Sequence, residues 1–164
     1  VSRERSFAWS DPKLTSDAAM AMAGLDLLRA MRDGSVPPAP IAALVGFTIA
    51  EVEAGRIVMR LVPGEYHYNP LGTMHGGILA TLLDSVMGCA VHSTLPKGRA
   101  YTSLEIKVNY VRAVTGGSGE LSAEGIVVHS GRRSAVAEGK VVDARGRLCA
   151  TASTTCLVFD LEAD

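Results

Sequence analysis

The longest helical periodicity of apolar residues in the chain runs from Gly76 to His92, GGILATLLDSVMGCAVH. Leu79, Leu82, Leu83, Val86 and Met87 cover much of its surface. Gly77, Ala80, Thr81, Asp84 and Gly88 fall near one another at steps of three and four. The pattern predicts one long helix with a bulky apolar side and a face of small residues, with room there for a substrate or another chain. That face carries Asp84, a mid-helix carboxylate that costs helix propensity and, beside an apolar core, solvation. Asn69-Pro70 with Gly72 reads as a turn into the helix, and Pro96-Lys97-Gly98 as its stop.

Period-two alternation marks the strands. Phe47 to Glu53 and Arg56 to Val62 read as a hairpin turned at Glu53-Ala54-Gly55. Four strands follow the helix: Tyr101 to Arg112, with Leu104, Ile106, Val108 and Tyr110 on one face, then Gly119 to His129, Arg133 to Asp143 and Leu148 to Phe159. Their short connections, at Gly116-Gly117, Ser130-Gly131-Arg132 and Ala144-Arg145-Gly146, favour antiparallel neighbours. Ala123, Gly125, Ala135, Ala137, Gly139, Ala150 and Ala152 make these strands slim enough to curve around the helix. Ahead of the strands, residues 1–14 read as irregular. Ser16-Asp17 reads as the cap of a helix from about Ala18 to Arg32, and PPAP at 37–40 as a stiff extended link, with strands beginning at Ile41. The expected architecture is α+β: an N-terminal segment over 1–40 with one extra helix, then a domain over 41–160 with an antiparallel sheet wrapped around one long central helix.

Composition narrows the function classes. The chain has 164 residues, 48% apolar and 20% charged, as in a soluble globular protein. A net charge of −1 removes the electrostatic case for nucleic acid. No apolar run reaches membrane-spanning length, and VSRERSFAWSDP lacks the apolar segment of a signal peptide. The three cysteines read as free thiols in a reducing cytoplasm, with Cys149 and Cys156 on opposite faces of one strand. No Cys/His cluster has zinc spacing, and no glycine-rich phosphate loop of Walker or Rossmann type appears.

One long helix with two strands before it and four after resembles the hotdog fold. Asn69, His75-Gly76-Gly77 and Asp84 resemble the N-x5-HGG-x6-D signature of the phenylacetate-degradation type of acyl-CoA thioesterase, within the 4-hydroxybenzoyl-CoA thioesterase superfamily. TSLEIKVNYVRAV at 102–114 resembles the strand after that family's helix, and residues 131–159 its last two strands; the similarity covers roughly Leu44 to Phe159. The resemblance implies hydrolysis of a fatty or aromatic acyl thioester of coenzyme A, without metal or organic cofactor. It also implies a homodimer whose sheets join edge to edge, often paired again into a homotetramer. By the same resemblance Ser103 matches a hydroxyl that helps hold the attacking water or the carboxylate. Thr102 takes that place if a bulge shifts the register.

The residues suit the chemistry. Gly76 and Gly77 open the helix, where N–H groups lack intrahelical partners and the helix dipole favours an oxyanion. One such donor is typically worth ~2.7–4 kcal/mol in a transition state. Asp84 is the expected base for water or the direct nucleophile. Asn69 either holds the water or acyl carbonyl, or initiates its turn. His75 either binds near the thioester or fixes the turn, the latter being favoured. His67 is a candidate for the acyl pocket, while His92 and His129 are expected to be exposed or satisfied locally. Arg112, Arg132, Arg133, Lys97 and Arg99 are candidates for the coenzyme A phosphates.

Gly76 and Asp84 stand eight residues apart, so about 12 Å along the helix axis. A carbonyl held by Gly76 is out of reach of that same Asp84. The spacing predicts a site shared between subunits. Two other readings compete: an acyl-CoA-binding module without catalysis, and a hotdog hydratase or dehydratase, whose local pattern differs from HGG-x6-D. Aliphatic and arylacetyl groups both remain open.

Overall fold

The computed structural model describes residues 1–161. In chain order it has α1 (Pro12–Ala21), α2 (Gly24–Arg32), α3 (Pro40–Val45), β1 (Phe47–Glu53), β2 (Arg56–Leu61), α4 (Gly76–His92), β3 (Arg99–Tyr110), β4 (Leu121–Ser130), β5 (Ser134–Val142) and β6 (Leu148–Asp160). Short 3-10 turns lie at Glu65–His67 and Gly116–Ser118.

All six strands form one antiparallel sheet in the order β1-β2-β4-β5-β6-β3. The tight connections at 131–133 and 143–147 make the expected β4–β5 and β5–β6 neighbours. Gly116-Gly117 does not join neighbours, a correction to the sequence reading. Those glycines form a 3-10 turn within a longer passage, and β3 pairs with β6 at the far edge.

The sheet closes on α4 as its small residues imply. Leu79, Leu82, Leu83, Val86 and Met87 are all buried, against buried Ala123, Ala135, Ala137 and Ala150 of the sheet. Contact is close at two glycines of the sheet. A Cβ added to Gly125 would lie 2.5 Å from the Val86 carbonyl oxygen, and one added to Gly139 2.9 Å from Met87 Cγ. The first obstacle is helix backbone and cannot yield; the second is a flexible side chain. Gly125→Ala is therefore expected to lower unfolding free energy in urea by about 1–3 kcal/mol, the usual range for overpacking, and Gly139→Ala by less. Equal losses would show that the sheet can move away from the helix.

The N-terminal segment departs from expectation. Instead of one helix over 18–32 there are two, followed by a third where strand was expected from Ile41. Asp11, not Ser16-Asp17, caps α1 by accepting from the Lys13 N–H, and Pro12 occupies its first turn. The helix breaks because Met22 turns extended and Gly24 docks on the end of α4. The Gly24 N–H donates to the Leu95 carbonyl at 3.0 Å. A Cβ there would collide with the His92 carbonyl oxygen. Pro40 starts α3 rather than ending a link, and Gly46, at φ +91°, closes it in the left-handed conformation. Leu28 of α2 and Ala42 and Val45 of α3 join the main core.

β3 carries a bulge. Ser103 opposes Cys156, Glu105 opposes Thr155, and Leu104 between them has no counterpart. Residues directly opposite share a face, so Ser103, Ile106, Val108 and Tyr110 face inward with buried Cys156, Thr154, Ala152 and Ala150. Leu104, expected on that face, is 61% exposed. All three cysteines are free.

Candidate active site

The turn before α4 is tied down from several sides. The Met74 N–H donates to the Val114 carbonyl, and the His75 N–H to the His67 carbonyl, each at 2.8 Å. His67 is buried, not pocket-lining as anticipated. Its Nδ1 accepts from the Gly64 N–H at 3.1 Å, so Nε2 carries the proton and donates to the Val45 carbonyl at 2.8 Å. Burial pushes its pKa below the ordinary value. His67 thus anchors the turn to α3.

His75 is the N-cap of α4, and its Nδ1 accepts from the Gly77 N–H at 2.9 Å. This matches the favoured structural reading of His75 and corrects the one for Gly77, whose N–H is committed. The Gly76 N–H has no partner among the described residues. It stands at the positive end of a 17-residue helix. The Gly76 carbonyl accepts from the Tyr110 hydroxyl at 2.8 Å. Gly76 lines a groove of about 330 Å³ with Asn69, Thr73, Tyr110 and Arg112.

Asn69 is largely occupied by its own loop. Its Oδ1 accepts from the Leu71 N–H at 2.9 Å and the Thr73 N–H at 3.3 Å, and its Nδ2 donates to Thr73 Oγ1 at 3.0 Å. The amide shapes the turn, which leaves one Nδ2 hydrogen for a ligand. Arg112 is exposed, its Nε donating to the Leu148 carbonyl at 3.3 Å.

Two turns further along α4, Asp84 Oδ1 accepts from Ser103 Oγ at 2.8 Å. The bulge makes this pairing compatible with the rest of β3, since positions 103 and 106 face the same way only when an extra residue lies between them. The bulge follows Ser103, so Thr102 remains outward and exposed. Thr81 spends its hydroxyl on the Gly77 carbonyl at 2.9 Å. Arg132 is not near Gly76: its carbonyl accepts from Arg99 Nη2, and its loop meets the opposite end of α4 through Ser130 and Thr94.

Asp84 opens into a different space, a cavity of about 340 Å³ that Cys89, Tyr101 and Phe47 also line. Burial, and then the charge of Asp84, push the Cys89 thiol up to about 12, so it stays protonated near neutrality and is no rival nucleophile. Burial likewise raises the Tyr101 phenol, whose charged form Cys89 and Asp84 also oppose. The sequence reading had overlooked Tyr101, Tyr110 and Cys89; the alternation through Tyr110 was the available signal. His92 is also corrected: its Nδ1 is buried without a partner among the described residues, and burial lowers its pKa.

The groove at Gly76 and the cavity at Asp84 have no lining residue in common. One offers an unspent N–H at a helix N-terminus; the other offers a carboxylate steadied by a hydroxyl. Among the described residues no cluster of His, Cys, Asp and Glu is arranged to hold a metal. Among the described residues no helix is long and apolar enough to cross a membrane.

Residues 71–150 match the family described as the thioesterase superfamily. A 1,4-dihydroxy-2-naphthoyl-CoA hydrolase of Listeria monocytogenes is 27% identical over 114 residues, 70% of this chain and 91% of its own. A solved structure from Ralstonia eutropha JMP134, provisionally a thioesterase and related to phenylacetic acid degradation, is 28% identical with a TM-score of 0.73. That match covers 79% of this chain and 98% of the other. A Halobacterium salinarum protein provisionally described as an esterase is 34% identical over 107 residues, 62% of this chain and 69% of that one. With similarity of that degree over two thirds of a relative's length, on this sheet and helix, the chain belongs to the thioesterase superfamily and is a hotdog-fold thioester hydrolase.

Proposed function

We propose that the protein hydrolyses acyl-CoA thioesters as a homodimer with two shared sites. The observation that carries this is the separation just described: one chain places its free Gly76 N–H and its Asp84 carboxylate in different cavities. The similarity to a CoA-thioester hydrolase supports the substrate class. Gly76 of one protomer donates to the thioester carbonyl oxygen, and the helix dipole stabilises the charge that gathers there. Asp84 of the partner subunit, held by the Ser103 hydroxyl, acts as base toward water or as the attacking oxygen. Collapse of the tetrahedral adduct expels the coenzyme A thiolate, which takes up a proton. Where water attacked, the acid is released at once; where Asp84 attacked, water then hydrolyses the acyl-aspartyl anhydride and restores the carboxylate. Asn69 shapes the turn and turns its remaining amide hydrogen toward the groove. Arg112, in the same groove, is the residue assigned to the coenzyme A phosphates.

The dimer reading rests on the sheet edge. β3 pairs only with β6, so its outer N–H and C=O groups face no strand among the described residues. Leu104 and Tyr110 beside that edge are 61% and 54% exposed. A 12-residue edge strand with its outer ladder groups unpaired offers them to a second strand. The test mixes two inactive variants, Gly76→Pro and Asp84→Asn, by joint unfolding and refolding. In a two-fold symmetric dimer, random pairing restores one site in half the molecules, about a quarter of wild-type thiol release. Mixtures that stay inactive, while wild type treated alike recovers, would overturn the sharing. No release from any acyl-CoA by wild type would overturn the substrate.

A further inference from the structure

The cavity beside Asp84 is lined in part by the N-terminal segment, outside the residues 71–150 that match the family. Met31 comes from the end of α2, Pro38 and Ala39 from the link, and Ile41 from α3. We propose that this cavity receives the acyl group and that the N-terminal wall sets its length. The inference rests on the reading of the site as one that cleaves acyl-CoA. Division of labour between protomers follows from it: the groove at Gly76 takes the coenzyme A end, and the cavity at Asp84 of the partner subunit takes the acyl end.

Three observations support the assignment. The cavity adjoins the carboxylate required at the carbonyl carbon, so an acyl chain attacked there extends into it without turning back. Its wall is apolar where a chain would end, and the one cation at its rim, Arg32, is paired with Asp33 at 2.8 Å. The wall is also held firmly. α2 is locked by the Gly24 contacts with Leu95 and His92 and by buried Leu27 and Leu28, and the link by Thr15 Oγ1 donating to the Pro37 carbonyl at 2.9 Å. A wall fixed in this way acts as a ruler.

Size gives the class of substrate. A water-sized group fills roughly 30 Å³, so a cavity of about 340 Å³ takes on the order of ten such groups. That fits a medium-length acyl chain such as octanoyl and stops short of palmitoyl. The test measures thiol release from saturated acyl-CoAs, acetyl through palmitoyl, for wild type, Met31→Ala and Ala39→Phe. Wild type is expected to peak at medium length. Met31→Ala is expected to move the peak to longer chains. Ala39→Phe is expected to lower kcat/KM for octanoyl-CoA by about tenfold or more relative to its effect on acetyl-CoA. Unaltered length profiles in both variants, with wild type active, would overturn the ruler but not the thioesterase; a wild type inactive on every acyl-CoA would remove both. Met31→Ala only deletes atoms, so it decides the matter alone should Ala39→Phe fail to fold.

Discussion

Asp84→Asn lowers kcat for acyl-CoA hydrolysis by about 10²–10⁴-fold, the range typical of a positioned acid or base, with little change in KM or in thermal stability. The substitution keeps the shape of the side chain and an oxygen to accept from Ser103 Oγ, now 2.8 Å from Oδ1. Only the negative charge is lost. Asp84 is partly open to its cavity. A parallel fall in kcat and kcat/KM marks an interaction made in the transition state, whereas a raised KM at constant kcat would make Asp84 a binding residue only. Ser103→Ala is expected to cost less than Asp84→Asn, because it removes an orienting hydrogen bond and leaves the carboxylate. Steady-state thiol release for the three proteins checks both statements.

The second large effect concerns a single N–H. Gly76 is the first residue of α4 after the His75 cap, a position where proline is tolerated because its N–H has no intrahelical partner. His75 has φ −60° and ψ 134°, a conformation proline accepts in its predecessor. Gly76→Pro therefore deletes the proposed oxyanion donor while the helix stays formed. Any added Cβ lies 2.9 Å from Tyr110 Cζ, so Gly76→Ala is the matched control: it brings the same Cβ and keeps the N–H. The expected outcome is a kcat about 10²–10³-fold lower in the proline variant than in the alanine variant, as for loss of one oxyanion donor. Circular dichroism should show equal helix content. Equal activity in the two would remove Gly76 from the chemistry.

Much of the domain could be read from period and residue size. α4 was bounded correctly because its apolar spacing, the glycines before it and the turn after it agree. The slim strands around it were legible because Gly125 and Gly139 leave no room for a side chain. What escaped had tertiary causes. The split of the N-terminal helix depends on Gly24 fitting against the His92 carbonyl, which no local propensity encodes. The place of β3 at the far edge depends on which strand finds which edge, and its bulge on the twist that brings Ser103 to Asp84. At the site, the type of chemistry was legible and the allocation of hydrogen bonds was not. Two equivalent glycine donors became one once the His75 ring claimed the other.

The distance between Gly76 and Asp84 along α4 also bears on inheritance. Each proposed site draws its donor from one chain and its carboxylate from the other. A subunit defective at one of these residues therefore spoils one site of a mixed dimer and leaves the second working. A subunit defective at both silences the two sites of any wild-type chain it pairs with. In a cell making equal amounts of both chains, the single variants behave as nearly recessive and the double variant as dominant-negative.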